Sequence, residues 1–339
     1  SLSSCNLFQL DSDSYNDIEY AKYLRKKLKI AKLDFNSLIE KQSKKIKGVK
    51  YYKNPIGTAL PFSFLKNEIF FFIFPGVPIE FKSIYVESVV PLIDESRRNL
   101  TLTLNTSGIS ESKLYEKIHD LIDLFSKSIK VGFLPNFQGV KLRLMSISEH
   151  NNDLKNIKLK IISRIEKYYF GEGDIKLEKV VLDNLKNKKL TLSTAESCTG
   201  GSISKLITNL PGSSKVFKGS IVAYSNDVKK EVLKISKKRL EKYGAVSKEI
   251  SEDMCVNISK IMSTDVSIST TGISGPDGGS KDKPVGIVFI SIKYLSKIYT
   301  KKINLIPDRN IHRLMASQIS LNMLRLIMNK EYGNSNKKN

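Results

Sequence analysis

Histidine, cysteine and arginine are scarce in this 339-residue chain, and each scarcity narrows the chemistry. The three histidines, His119, His150 and His312, sit far apart, which argues against a histidine-based metal site. Cys5, Cys198 and Cys255 form an odd set without metal-like spacing and fit a reducing cytoplasm. No apolar run reaches the roughly 18 residues that a membrane helix needs. The longest aromatic run, Ile69 to Phe74, has strand length and stops at Pro75-Gly76. No secretory signal is visible at the N-terminus. The chain begins with Ser1 and not Met, which leaves room for a preceding portion.

The net charge of +22 comes from 56 basic residues, of which only nine are Arg. The lysines are spread along the whole length and accompany many Ile and Asn residues. That pattern reads as compositional drift more than as a nucleic-acid-binding stripe. Nucleic acid and membrane are therefore not expected as partners. The densest basic stretch, Lys41 to Lys50, reads as a solvated loop. Length and a 40% hydrophobic content predict a globular chain of two or three domains.

Periodicity predicts helix over 15–48, a short strand at Tyr51-Tyr52, a buried strand from Glu68 to Phe74 and a helix from about Ile79. Residues 98–148 read as a strand–helix–strand–strand module. A helix from about Leu154 to Tyr168 follows the polar joint at His150–Asp153. From about 175 the order becomes regular. Strands at 189–195, 217–224 and 265–271 are separated by helices, and two consecutive strands at 285–293 and 297–305 precede the final helix. Ser247 is the expected N-cap of one helix, and Asp308 starts the last. The expected fold class is α/β. Its final domain is a three-layer α/β/α unit with a mixed sheet. Residues 330–339 are expected to fray.

Three segments could carry chemistry. Thr194-Ala195-Glu196-Ser197-Cys198-Thr199-Gly200-Gly201 joins a strand to a helix. Its hydroxyls are potential nucleophiles, and free N–H groups at the helix start could hold an anion. No histidine lies within a promising motif, which argues against a Ser–His–Asp triad. Lys229, five residues after Tyr224, is the available base if burial lowers its pKa. The competing reading is that Ser and Thr cap helices and Lys is everywhere in this chain. Gly272 to Ser280 is glycine-rich and suits close backbone approach to a ligand, or is an ordinary long turn. Arg309 and Arg313, four apart, present two guanidinium groups on one helix face and suit a phosphate or carboxylate, or form a solvated turn.

These segments, in this order and spacing, closely resemble the C-terminal domain of the CinA family, the nicotinamide-nucleotide amidohydrolases. Tyr224-Ser225-Asn226, Gly244-Ala245-Val246-Ser247, Pro284-Val285-Gly286 and Asp308-Arg309 continue the likeness. The resemblance implies hydrolysis of the carboxamide of nicotinamide mononucleotide, to nicotinic acid mononucleotide and ammonia, without metal or cofactor. It implies Ser197 as nucleophile with Thr199 in reserve, Lys229 as base, and Tyr224 stacking on the pyridine or orienting Lys229. Glu196, Gly200, Gly201, Asn226, Gly272, Ser274, Gly275, Asp277, Arg309 and Arg313 are the implied substrate contacts. A cytoplasmic homo-oligomer is expected.

Asn54 to Ala59 and Pro75 to Glu80 are similar to the end of the family's molybdopterin-binding-like first domain. Gly108 to Ser112 and Val140 to Arg143 are similar to its small middle domain. The implied organisation is a partial first domain over 1–94, a middle domain and connecting helix over 95–170, the amidohydrolase domain over 171–330 and a flexible tail over 331–339. The family's Gly-Gly-Leu-Gly-Pro-Thr stretch and following Asp-Asp are absent. Asp11-Ser12-Asp13 does not replace them, and Leu60 stands where the family usually has Pro. The ADP-ribose pyrophosphatase activity linked to that first domain is therefore not expected here. That pyrophosphatase action by residues 1–92 and a non-enzymatic competence or DNA-associated role are the two alternatives.

Overall fold

A computed structural model describes residues 14–30, 36–92, 100–146 and 151–335. Cys5, Asp11 to Asp13, Asn99, His150 and residues 336–339 fall outside them. The chain divides into two compact units, residues 1–98 and 99–339.

In the first unit, strand β1 (Ser14–Asn16) leads into helices α1 (Ile18–Ile30) and α2 (Asn36–Ser43), and β2 (Lys44–Ile46) returns antiparallel to β1. The helical expectation for 15–48 is thus corrected at both ends. The Lys41–Lys50 stretch is also not a free loop. Lys45 pairs with Asp17 and lies over the Tyr20 and Tyr51 rings. Short edge strands of charged residues leave no periodic signal. A second sheet has the order β3 (Lys50–Tyr51), β4 (Phe62–Lys66), β5 (Ile69–Ile73), followed by α3 (Pro78–Ile84). The strand expected to be buried, β5, is an edge strand: Ile69 and Phe70 are 58% and 65% exposed. The Asn54 side chain builds the turn before β4. It accepts from the Ile56 and Gly57 amides and donates to Ala59 O and Glu80 Oε2.

The second unit begins with β6 (Thr101–Thr106), α4 (Glu111–Leu124), β7 (Ile129–Asn136), β8 (Gly139–Ser146), α5 (Asn151–Ile165) and β9 (Tyr169–Glu172). The antiparallel sheet has the order β7-β8-β6-β9. Leu114, Ile118 and Leu121 of α4, with Ile157, Ile161 and Ile165 of α5, cover Leu104, Leu142 and Leu144 of the sheet. Ser110 caps α4 through the Lys113 amide. The fourth strand, β9, is only four residues long and interrupted by Gly171, too short to register in the sequence.

Helix α6 (Leu177–Asn187) opens the three-layer part. It continues through β10 (Leu192–Glu196), α7 (Ser202–Thr208), β11 (Phe217–Val222), α8 (Asn226–Glu231), α9 (Lys237–Tyr243) and α10 (Lys248–Ile261). Then come β12 (Val266–Gly272), β13 (Ile287–Tyr294), β14 (Lys297–Asn304) and α11 (Arg309–Ser335). The sheet order is β11-β10-β12-β13-β14. Strand β10 is parallel to both neighbours, and β13 and β14 are antiparallel additions, so the sheet is mixed as expected. Helices α6, α7 and α11 bury Leu182, Ile207 and Leu324 against Leu192, Ile268 and Ile292 on one face. Helix α10 packs Ile250, Met254 and Ile258 on the other, against Ala195 and Ala223. Ser247 caps α10 through the Ile250 amide. Small residues let that helix approach closely: Ser269 and Ser267 of β12 donate to the carbonyls of Ser251 and Cys255. Helix α11 runs to Ser335, further than the fraying expected from residue 330.

The connection from β10 to β11 leaves on one side of β10, and the chain then crosses back to place β12 on the other side. The crevice at such a reversal lies beyond the carboxyl end of the central strand. Ser197 is the first residue past that end.

Candidate active site

Ser197 is fixed by its backbone before its side chain does anything. Its amide donates to Thr270 O on β12 at 2.9 Å, and Glu196 O accepts from Ala223 N past the end of β11 at 2.8 Å. Both neighbouring strands therefore clamp the residue. The chain then turns through Gly200 and Gly201, both at positive φ (57° and 89°). A β-carbon on Gly200 would also stand 2.9 Å from Arg313 Nη2, so a side chain there would be strained and would displace the guanidinium.

Lys229 reaches Ser197 from the first turns of α8, which Ser225 caps through the Val228 amide. Its Nζ lies 3.2 Å from Ser197 Oγ, 2.8 Å from Ala223 O and 3.4 Å from Tyr224 O. The lysine is 2% exposed and Ser197 8%. Burial penalises the ammonium and pushes its pKa down to about 8. A neutral lysine has two N–H donors and one lone pair. Two carbonyls match the donors, and the lone pair is left for the Ser197 hydroxyl.

Glu196 and Thr199 occupy different places from those implied by the resemblance. The Glu196 carboxylate is fully buried and accepts from the Ile203 and Ser204 amides (3.1 and 2.9 Å), the Ser204 hydroxyl and Thr199 Oγ1 (2.8 Å). It is an internal cap for α7 and does not face a substrate. The free N–H groups expected at this helix start are consequently not free. Thr199 is also fully buried, its hydroxyl shared between Glu196 and Thr270 Oγ1 at 2.7 Å. That placement removes it as a reserve nucleophile. Among the described residues the Thr199 and Gly201 amides donate to no protein acceptor. Cys198 is enclosed, and burial pushes its thiol up to about 12.

The two arginines close over this turn. Arg313 donates through Nε and Nη2 to Thr199 O at 3.3 and 3.1 Å. Arg309 donates to Gly275 O at 3.1 Å and to the Tyr224 hydroxyl at 2.7 Å. Tyr224, 59% exposed, thus stands beside Arg309 while its carbonyl holds Lys229. Gly272 and Gly275 lie hard against β13 and its approach: β-carbons there would come 2.5 Å from Ile287 O and 2.6 Å from Val285 Cγ1. The Asn226 and Asp277 side chains are exposed and make no hydrogen bond or ion pair among the described residues. The Ile273 amide, near which an oxyanion could have been held, donates instead to Ile287 O.

His312 corrects the expectation that no histidine belongs to a site motif. It is fully buried on α11, between the two arginines, with Nδ1 2.9 Å from Ser274 Oγ. Its position three residues after Arg309 was the available signal. No group of three or more His, Cys, Asp or Glu among the described residues is arranged to hold a metal ion. No described helix is long and apolar enough to cross a membrane.

The family described as CinA C-terminal domain matches residues 174–328, and the CinA KH domain matches residues 101–171. A CinA-like protein of Prochlorococcus marinus is 39% identical over 318 residues, covering 90% of this chain and 74% of that protein. A CinA-like protein of Fusobacterium nucleatum is 35% identical, covering 91% and 79%. Among solved structures, the competence/damage inducible protein CihA of Agrobacterium tumefaciens is 32% identical, covering 45% of this chain and 93% of that one, with a TM-score of 0.44. The Escherichia coli CinA superfamily protein is 28% identical, covering 44% and 88%, also at 0.44. Two adjoining family matches and relatives matched over about three quarters of their length agree on one conclusion: the chain belongs to the CinA family.

Proposed function

We propose that this protein hydrolyses the carboxamide of nicotinamide mononucleotide to nicotinic acid mononucleotide and ammonia. The observation that carries the reading is the buried Lys229 amine 3.2 Å from the Ser197 hydroxyl at the carboxyl end of β10. A serine hydroxyl is a weak nucleophile without a base, and a lysine is a base only when neutral. Burial, by lowering the pKa to about 8, brings a fraction of that neutral form within reach at pH 7.

Ser197 Oγ attacks the carboxamide carbon while Lys229 Nζ takes the hydroxyl proton. The oxyanion forms beside the Cys198–Gly201 turn, whose Thr199 and Gly201 amides are its donors. Lys229 returns the proton to the amide nitrogen, the C–N bond breaks and ammonia leaves. Water then attacks the seryl ester, giving its proton to Lys229, and Ser197 is released with its proton restored. Arg309 and Arg313 hold the 5′-phosphate by charge-assisted hydrogen bonds. Tyr224 offers its ring to the cationic pyridinium. No step calls on a metal.

The test is ammonia release from nicotinamide mononucleotide by the purified protein, with and without EDTA. Release that persists in EDTA and disappears in Ser197→Ala is the expected result. Full activity in Ser197→Ala would falsify the assignment of the nucleophile.

A further inference from the structure

The Gly272–Gly279 loop is held at its root by few bonds. Ile273 exchanges backbone hydrogen bonds with β13 and its approach, through Ile287 O and Gly286 N. Beyond that, two side-chain ties run to α11: Arg309 to Gly275 O at 3.1 Å, and Ser274 Oγ to His312 Nδ1 at 2.9 Å. Residues 276–282 are exposed or half-buried and add no further tie to α11.

The two ties differ in what else they do. Arg309 is exposed, also bonds the Tyr224 hydroxyl, and is a proposed phosphate ligand. Donors turned toward a phosphate are lost to Gly275 and Tyr224. Ser274 and His312 are buried (6% and 0% exposed), so their bond is not exchanged for a bond to water or to a ligand. Burial holds the ring below the usual histidine pKa, so it is neutral, with one donor and one acceptor nitrogen. Its Nε2 is buried without a close hydrogen-bond partner, and the backbone at Gly286 and Ile287 lies near enough to offset part of the burial effect.

We infer that Ser274 and His312 form a positioning pair that keeps the Gly272–Gly279 loop on helix α11 when Arg309 turns to its ligand. The role rests on the amidase reading for its consequence in catalysis, but not for its structural content. His312 acts through Ser274 and touches no substrate.

The experiment compares Ser274→Ala, His312→Leu and His312→Asn with the wild type. Asparagine can place a side-chain polar atom near the position of Nδ1, and leucine cannot. Hydrogen exchange across residues 272–280 is measured first in the ligand-free protein. Ser274→Ala and His312→Leu are expected to speed loop exchange about tenfold, with β10 and β12 unchanged, and His312→Asn to match the wild type. In ammonia release, the first two are expected to raise KM about fivefold with kcat within about twofold. Unchanged loop exchange in His312→Leu overturns the inference. So does a His312→Asn protein that behaves like His312→Leu. A wild type that releases no ammonia sinks the amidase reading alone, because the exchange result still decides the pair.

Discussion

Two buried cations in the second unit make an instructive contrast. Lys229, at the carboxyl end of the sheet, and Arg325, where α11 meets β9, are both 2% exposed. Burial alone lowers both, Lys229 to about 8 and Arg325 to about 10. Neither has a carboxylate partner in an ion pair among the described residues. Arg325 spends its donors on Asn322 Oδ1 at 3.0 Å, Tyr169 O at 3.1 Å and Lys167 O at 2.8 Å. It ties the last helix to the turn before β9. Every one of its contacts is an inert acceptor, and it stays charged at neutral pH. Lys229 has two carbonyls and one hydroxyl, and a pKa that puts roughly a tenth of molecules in the neutral form at pH 7. The same desolvation therefore makes a fastener of one cation and, on the proposed reading, a base of the other. What decides is whether the side chain can lose its proton and whether an acidic hydrogen faces it.

The sharpest way to break this contrast is to remove each group in turn. Ser197→Ala and Lys229→Met are each expected to lower kcat for ammonia release by about a thousandfold or more, because nucleophile and base act as one unit. Arg325→Met is expected to leave kcat within about twofold of wild type. Its cost falls on stability, about 2 kcal/mol in urea unfolding, because one buried and two partly buried acceptors lose their donor. An Arg325→Met protein that is stable but inactive would reverse the assignment.

The next effect is the pH profile. With the base titrating near 8, kcat/KM is expected to rise about tenfold per unit below that pH and to level off above it. A profile still climbing above pH 9 would show that Lys229 is not the titrating group. Stability carries the same signature. Lys229 has a folded pKa below the 10.5 of the unfolded chain, so the unfolded state binds the extra proton between about 8 and 10.5. The penalty of the buried lysine is full below that window and disappears as pH rises through it. The stability gap between Lys229→Met and wild type should narrow across that interval.

The smallest effect concerns the thiols. Burial pushes Cys198 up to about 12 and Cys255 up to about 11, so iodoacetamide at pH 8 is expected to leave both unlabelled and activity intact. Rapid inactivation with label on Cys198 would place a third reactive group beside the pair.

Much of the second unit was legible in the sequence because its signals are local. Ser110 and Ser247 cap the helices that follow them. The alternation in Val266-Ser267-Ile268-Ser269 places apolar residues on one face of β12 and hydroxyls on the other. The pairing of Ser197 with Lys229 was visible only as a candidate, because 32 residues separate them and the sheet order brings them together. Glu196 and Thr199 were misplaced for a related reason. Sequence spacing says that a carboxylate stands beside a helix start, but not whether it points outward or caps that helix from within. The first unit was least legible. An apolar run such as Ile69–Ile73 marks a strand whether or not anything covers it. The short pairing of β1 with β2 rests on contacts between residues thirty apart.

The internal cap of α7 has a consequence for how a phosphate is captured. With Glu196 already capping the amides of that helix, the proposed nucleotide substrate would be drawn in by the Arg309 and Arg313 side chains, near the surface. Mobile ions screen such charges over about 8 Å at physiological ionic strength. On that reading substrate capture is sensitive to the salt of the surrounding solution, while the buried Ser197–Lys229 pair is shielded from it.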